Sequence, residues 1–191
     1  MKYDPAKHHR RSIRLKGYDY TQNGAYFVTI CVQNRECLFG KIVDEAMRLN
    51  EAGQIVADTW EWLASQYDHV DLDNWVVMPN HLHGIIVLTD DGDNGDDGRG
   101  GSCVVGAVRE PPLQNDHPKK RKPLGRLIGA FKTVSTKRIN AWRQTPGNRL
   151  WQRNYYEHII RNEASLNQIQ EYILNNPRIW TEDSLFVKES P

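Results

Sequence analysis

The sequence predicts an α+β fold of the ferredoxin-like sandwich type, a four-stranded antiparallel sheet with helices on one face. Short runs of β-branched and aromatic residues alternate with longer segments of helical periodicity, in the order β-α-β-β-α-β-α. Two apolar runs also flank a Pro79-Asn80 turn signal, which is typical of a hairpin. A chain of 191 residues is long enough for one domain with a sizeable core.

Each element has its own signal. The first strand is a β-branched and aromatic run, the helices carry apolar positions about one turn apart, and Pro177 ends the last helix. The predicted elements are a strand over 25–32, a helix over 50–67, a hairpin over 76–88, a helix over 124–142, a strand over 150–160 and a helix over 163–176.

Composition divides the chain into a core domain and three flanking or inserted segments. We expect a basic arm over residues 1–20, a single domain over 21–180 and a tail over 181–191. Residues 90–122 are rich in Gly, Asp and Pro and are predicted to be a flexible insertion.

Composition also excludes several classes of protein. No apolar run approaches the roughly 20 residues that span a bilayer, and the charged start of the chain has no apolar segment behind it, so no signal peptide is predicted. Three cysteines without CxxC spacing argue against a disulfide framework and a zinc ribbon. We therefore expect a cytoplasmic protein.

The charge distribution favours a polyanion as partner. The net charge is only +1, but residues 117–156 contain eleven Lys or Arg and no acid, whereas residues 90–97 contain five Asp. The alternative is a solvated helix face balanced by an acidic loop. The candidate phosphate contacts are Arg11, Arg14, Arg126, Lys132, Lys137 and Arg153.

The pattern His81-Leu82-His83 predicts half of a metal site. Residues two apart on a strand face the same side, so both imidazoles point one way and Leu82 points the other.

The last helix brings two more candidates. Tyr172 and Asn176 are spaced i and i+4, so they lie on one face of the helix, at the border of its apolar stripe. Tyr172 could instead be a packing residue, and Asn176 could serve only the local backbone geometry before Pro177.

Several segments resemble those of the REP-associated tyrosine transposases, which belong to the single-tyrosine HUH transposase superfamily. The similarity covers nearly the whole chain except 90–122 and the last ten or so residues. The segments that resemble the family are Trp75–His83, Trp151–Asn162 and Tyr172–Pro177, with Arg11–Leu15, Tyr26–Thr29 and Phe131-Lys132.

The resemblance implies an HUH endonuclease fold and a mechanism. His81 and His83 would hold Mg²⁺ or Mn²⁺ with Asn176 as third ligand; His158 is the rival third ligand and Glu157 a further one. The ion would polarise the scissile phosphate of single-stranded DNA. Tyr172 would attack the phosphate and leave a 5′-phosphotyrosine.

The resemblance also implies a partner and a cellular place. The substrate would be DNA with a REP-like hairpin, met at the nucleoid, and a monomer is favoured over a homodimer. Two other functions remain open at this point: a protein that binds hairpins without cutting them, and an unrelated metal hydrolase that uses water as its nucleophile.

Overall fold

Four antiparallel strands form the central sheet of the computed structural model, which describes Leu15, residues 17–90 and residues 121–187. The strands are β1 (Gly24–Cys31), β2 (Gly40–Val43), β3 (Ala46–Leu49), β4 (Val70–Met78), β5 (His81–Leu88) and β6 (Tyr156–Ile160). The helices are α1 (Glu51–Gln66), α2 (Leu124–Arg143) and α3 (Glu163–Asn175). The central sheet has the order β4-β5-β1-β6, and β2 pairs with β3 in a separate hairpin.

The predicted fold class is confirmed, and so is the hairpin at the paired histidines. Met78 pairs with His81, so only Pro79 and Asn80 form the turn between β4 and β5. Both strands that flank the turn are long, and β5 is almost entirely buried because it lies in the interior of the sheet. A rigid, buried strand therefore carries the predicted metal ligands.

The helices occupy both faces of the sheet, although the sequence predicted them on one. Tyr26, Val28 and Leu82 pack with α1 and α2 in the main core. Phe27 and Ile85 point the other way and pack against α3. Because side chains alternate along a strand, each central strand serves both layers. The third helix lies on the face opposite the first two, where Ile173 of its narrow apolar stripe is fully buried.

The β2–β3 hairpin is an element that the sequence did not predict. Its two-residue turn places Asp44 at φ 49° and Glu45 at φ 59°. Left-handed conformations at both positions are the requirement of a type I′ turn, for which Asn-Gly or Asp-Gly is the usual signal. An Asp-Glu turn lacks that signal, so local sequence does not mark it.

Strand β6 is shorter than predicted, although residues before it still form hydrogen bonds to the sheet. The strand was expected from residue 150 but begins at Tyr156. Trp151 makes an isolated antiparallel bridge with Val32, and the Gln152 N–H donates to the Cys31 carbonyl at 2.9 Å.

No helix in the described ranges is long and apolar enough to cross a membrane.

Candidate metal centre and nucleophile

The two histidines lie side by side on β5, as their spacing predicted. Both rings are buried, and their centroids are 4.3 Å apart at an interplanar angle of 71°. Burial, followed by the charge that His83 would carry, lowers the pKa of His81 well below its ordinary value. Burial also lowers the pKa of His83. Both rings are therefore neutral near pH 7, which is the state that binds metals.

Asn80 determines which nitrogen of His81 is free. The Asn80 amide nitrogen donates to the carbonyls of Arg35 (3.1 Å) and Leu185 (2.8 Å), so its oxygen is the acceptor. That oxygen lies 2.8 Å from His81 Nδ1, which must then carry the proton. His81 Nε2 keeps its lone pair, and it is buried without a hydrogen-bond partner among the described residues. Orientation of a ligand histidine by such a bond is usual at metal sites.

His83 links the strand to the last helix. Its Nδ1 lies 2.9 Å from Thr29 Oγ1 on the neighbouring strand, and its ring stacks on Phe27 with centroids 5.4 Å apart. Its Nε2 lies 3.2 Å from the Tyr172 hydroxyl. The side of the ring that would face a metal ion therefore also faces the predicted nucleophile.

Helix α3 places Tyr172 over this face of the sheet. The helix begins at a capping residue, Asn162, whose side chain accepts from the Ser165 N–H at 2.8 Å. Ile173 is fully buried against Phe27 and Ile85, which fixes the rotation of the helix. Tyr172 then falls at the border of the stripe and is 39% exposed. Burial and the nearby Asp183 carboxylate raise the pKa of the Tyr172 hydroxyl.

Asp183 is a site residue that the sequence did not identify. One oxygen or nitrogen atom of each of His81, His83 and Asp183 lies within 4.8 Å of the others, so this group could hold a metal ion. The residue lies in the stretch after α3 that was predicted to be a tail. Its side chain is only 4% exposed.

The surroundings of Asp183 keep it ionised. Burial opposes ionisation, but the adjacent His83 ring, the Leu185 N–H (2.6 Å) and the Asn176 amide (3.2 Å) outweigh it. Together they hold the pKa of Asp183 well below its usual range. A permanent negative charge beside two neutral imidazoles is a suitable donor set for a divalent cation.

Asn176, the predicted third ligand, lies next to the cluster. It is fully buried one turn after Tyr172, and its Nδ2 donates to Asp183 Oδ2 at 3.2 Å. Its Oδ1 is buried and lacks a hydrogen-bond partner among the described residues. The amide therefore holds Asp183 and also has an oxygen to offer. Its role as a ligand stays a prediction.

The two rival ligands do not join the group. His158, on β6, pairs with Phe27 of β1, so it lies on the same face of the sheet as His83. Its side chain is exposed, however, and it is two strands away from β5. Glu157 pairs with Val28 and so faces the opposite layer, towards the main core. The sheet order, which separates β6 from β5 by β1, keeps both side chains from the histidine pair.

The residues present fit a divalent metal ion. Two imidazole nitrogens and a carboxylate converge, and a buried amide oxygen lies beside them. The unpartnered lone pair of His81 Nε2 is costly to bury unless something binds it. Mixed nitrogen and oxygen donors suit Mn²⁺ and accept Mg²⁺ as well as softer ions.

The predicted phosphate contacts are distributed unevenly. Arg11 and Arg14 lie outside the described residues, and Arg126 is exposed on α2. Lys132 does not point to solvent, because its ammonium donates to the carbonyls of Gln152 and Asn154, each at 2.9 Å. Lys132, Lys137 and Arg153 all line one cavity of about 970 Å³ beside α2.

Comparisons with known proteins bear on both the family and the fold. An uncharacterized protein of Haemophilus influenzae (strain ATCC 51907 / DSM 11121 / KW20 / Rd) is 42% identical over 193 aligned positions, which cover 97% of this chain and 98% of the relative. No protein-family model matches the chain. A solved structure of a REP-associated tyrosine transposase bound to a REP hairpin superposes with a TM-score of 0.54 at 18% identity, covering 88% of this chain and 73% of that one.

Proposed function

We propose that this chain is a metal-dependent endonuclease and strand transferase of single-stranded DNA. Two findings are the premise of the proposal. The chain belongs to the same family as the Haemophilus influenzae protein, and it has the fold of a REP-associated tyrosine transposase. The substrate in this proposal is DNA that carries a REP-like hairpin, as in the similar solved structure. The protein would act on the bacterial chromosome, in the cytoplasm.

One observation carries the proposal: the Tyr172 hydroxyl lies 3.2 Å from Nε2 of His83, within the His81–His83–Asp183 group. A tyrosine that only packs against the core has no need of a buried cluster of metal-binding groups at its hydroxyl. All four side chains come from one chain, which supports a monomer as the active unit.

In the proposed reaction Tyr172 is the nucleophile. Its oxygen attacks the scissile phosphorus, the bond from phosphorus to the 3′-oxygen breaks, and the phenol proton is lost to solvent as the 3′-hydroxyl takes one up. The product is a 5′-phosphate ester of Tyr172 and a free 3′-hydroxyl. Attack by a second 3′-hydroxyl on the same phosphorus reverses the step and joins two strands without an external energy source.

The protein supplies position and charge for this step. His81, His83 and Asp183, with Asn176 beside them, would hold Mg²⁺ or Mn²⁺. When bound, the ion would neutralise the negative charge that develops on the phosphate oxygens and on the phenol oxygen. Asn80 and Thr29 keep the two histidine rings oriented, and α3 holds Tyr172 at the rim, where a strand can reach it.

The test is a covalent-adduct assay. A 3′-end-labelled single strand with a REP-like hairpin is incubated with the protein and Mn²⁺, then denatured and run on a gel. We expect a labelled band that survives denaturation and disappears for Tyr172→Phe. The matched control is Tyr156→Phe, because Tyr156 is also exposed on this face of the sheet and contacts Phe27.

Each outcome bears on the proposal. An adduct that persists in Tyr172→Phe rules out this nucleophile. Cleavage without any adduct identifies a hydrolase that uses water. Hairpin binding without cleavage, with Mg²⁺ or Mn²⁺ present, identifies a binding protein instead of an enzyme.

A further inference from the structure

A cavity of about 970 Å³ lies between α2 and the loop of residues 144–153. Its volume is at the upper end of the range for pockets that enclose small organic molecules. The site described above does not include it, since α2 lies on the face of the sheet opposite Tyr172 and none of the metal-centre residues lines the cavity. The cavity is therefore a concave surface separate from the metal centre.

The charge of the cavity is strongly positive. Lys137, Arg149 and Arg153 line it and are exposed, and none of them has a carboxylate partner among the described residues. No Asp or Glu belongs to its described lining. A solvated helix face would intersperse acids with these bases, so the pattern indicates an anionic ligand.

The inner surface is apolar and rimmed by amides. Leu150 and Trp151 form its floor, each only 4% exposed, and Trp151 is held by a bond from Nε1 to Ser135 Oγ at 2.9 Å. Asn140 and Gln144 lie on the wall. Asn140 Nδ2 already donates to the Asn148 carbonyl at 2.8 Å. An amide both donates and accepts, so Gln144 can pair with the edge of any nucleobase, and the floor suits the apolar face of a base.

Lys132 builds the wall of the cavity. Its ammonium joins the carbonyls of Gln152 and Asn154, and so ties α2 to the chain that approaches β6. The three exposed cations are thereby held on both sides of the cavity around a fixed opening.

The cavity wall at Gln152 lies two strands from His81 in the sheet, although α2, which forms the other wall, is on the face opposite α3 and Tyr172. Trp151 bridges Val32, and the Gln152 N–H donates to Cys31, which itself pairs with His81. Two strand spacings, about 10 Å in all, therefore separate the backbone of the cavity wall from that of His81. A single strand that leaves the cavity would pass the edge of the sheet at Gln152 to reach the candidate nucleophile on the other face.

We propose that this cavity binds an unpaired nucleotide of the single-stranded DNA that adjoins the hairpin, with its phosphate on Lys137, Arg149 and Arg153 and its base on the floor. The inference rests on the proposed function, because it assigns a place to part of the same substrate. It separates recognition of the single-stranded flank from binding of the hairpin stem.

The test compares two fluorescent DNA ligands by anisotropy, in EDTA so that no cleavage occurs. One is a hairpin with single-stranded tails, and the other is the same hairpin with blunt ends. We expect Arg149→Ala/Arg153→Ala to weaken binding of the tailed hairpin about ten-fold and to flatten its salt dependence by about 0.7 in log–log slope, the value for loss of one phosphate contact. The blunt hairpin should change less than about two-fold, which is within the variation expected when no phosphate contact is lost.

Two further variants separate a cavity from general electrostatics. Ala141→Trp fills the cavity without a change of charge and should also weaken binding of the tailed hairpin only. Arg143→Ala removes an exposed charge from the same helix outside the cavity and should leave both affinities unchanged. Melting curves of all variants show whether each is folded.

The proposal is overturned if both variants bind the tailed hairpin as the wild type does, or if they lose the two hairpins equally. Failure of the proposed function looks different. In that case the wild type forms no adduct with Mn²⁺, while the tail-dependent loss of binding in EDTA remains.

Discussion

The two faces of the central sheet differ in what they bury, although the same strands supply both. On the face of α1 and α2, Leu82 and Ile86 lie in an apolar core where Trp60 meets Phe131 edge to face at 5.3 Å. On the face of α3, His81 and His83 lie beside a smaller apolar cluster, whose buried members are Phe27, Ile85 and Ile173. Neighbouring residues of β5 therefore have different roles: Leu82 packs in the apolar core, and His81 and His83 lie in the candidate metal centre.

This difference indicates how much each face can tolerate. In a close-packed apolar core, the free energy of unfolding falls when a side chain is shortened or enlarged. The site face keeps polar groups buried, and it leaves Tyr172 and Tyr156 partly open to solvent. Substitutions should therefore affect folding on one face and chemistry on the other.

The largest expected contrast is between two adjacent residues. Leu82→Ala should lower the free energy of unfolding by about 2–5 kcal/mol, because it leaves a cavity in the main core. His83→Ala should lower it by no more than about 1–2 kcal/mol, the cost of leaving the Thr29 hydroxyl without its partner, yet abolish the DNA adduct. Urea denaturation and the adduct assay measure the two effects. Similar losses of stability in both variants would mean that the two faces are equally important to folding.

Metal binding should test the site face alone. Asp183→Asn should weaken Mn²⁺ binding about 10- to 100-fold, because the only carboxylate of the described cluster is lost. Asp71→Asn, an exposed position on β4, is the matched control and should bind as the wild type. Calorimetric titration measures both. A larger loss in Asn176→Ala than in Asp183→Asn would identify the amide as the stronger ligand.

Gly84 tests how tightly the core face is packed. A Cβ at this position would lie 2.5 Å from Cζ2 of Trp60, a ring that is fully buried. Gly84→Ala should therefore cost about 1–3 kcal/mol of unfolding free energy. Gly129→Ala, where a Cβ meets nothing within 4 Å, should instead stabilise α2 by up to about 1 kcal/mol. A neutral effect of Gly84→Ala in thermal unfolding would show that Trp60 has room to shift.

The last effect is a pH dependence of stability and concerns Lys132, beside the cavity. Burial lowers its pKa to about 8, whereas an unfolded lysine titrates near 10.4. Between those values the unfolded chain binds more protons, so the stability of the wild type should rise with pH relative to Lys132→Met. Unfolding at pH 7, 8, 9 and 10 measures the difference, and parallel curves for wild type and Lys132→Met would contradict it.

Local sequence determined most of the fold and part of the site. Periodicity, with Pro177 as the stop signal of the last helix, predicted α1, α2 and α3 to within one residue at each end. The turn of the β4–β5 hairpin was equally predictable, because Pro-Asn between two apolar runs has few alternatives, but β4 begins at Val70, earlier than the predicted residue 76, where polar residues interrupt the apolar run. The shared face of His81 and His83 follows directly from strand geometry.

Tertiary structure decided the rest. The face of the sheet that α3 covers, and hence the 3.2 Å contact of Tyr172 with His83, depends on packing between residues 89 positions apart. Asp183 joins the cluster only because Leu185 and Asn176 fold the chain back after α3, through hydrogen bonds that leave no periodic signal. The cavity beside α2 likewise depends on the bonds of Lys132 to two distant carbonyls. Local preferences thus established the elements and the histidine pair, whereas long-range contacts decided which carboxylate and which surface came to lie beside them.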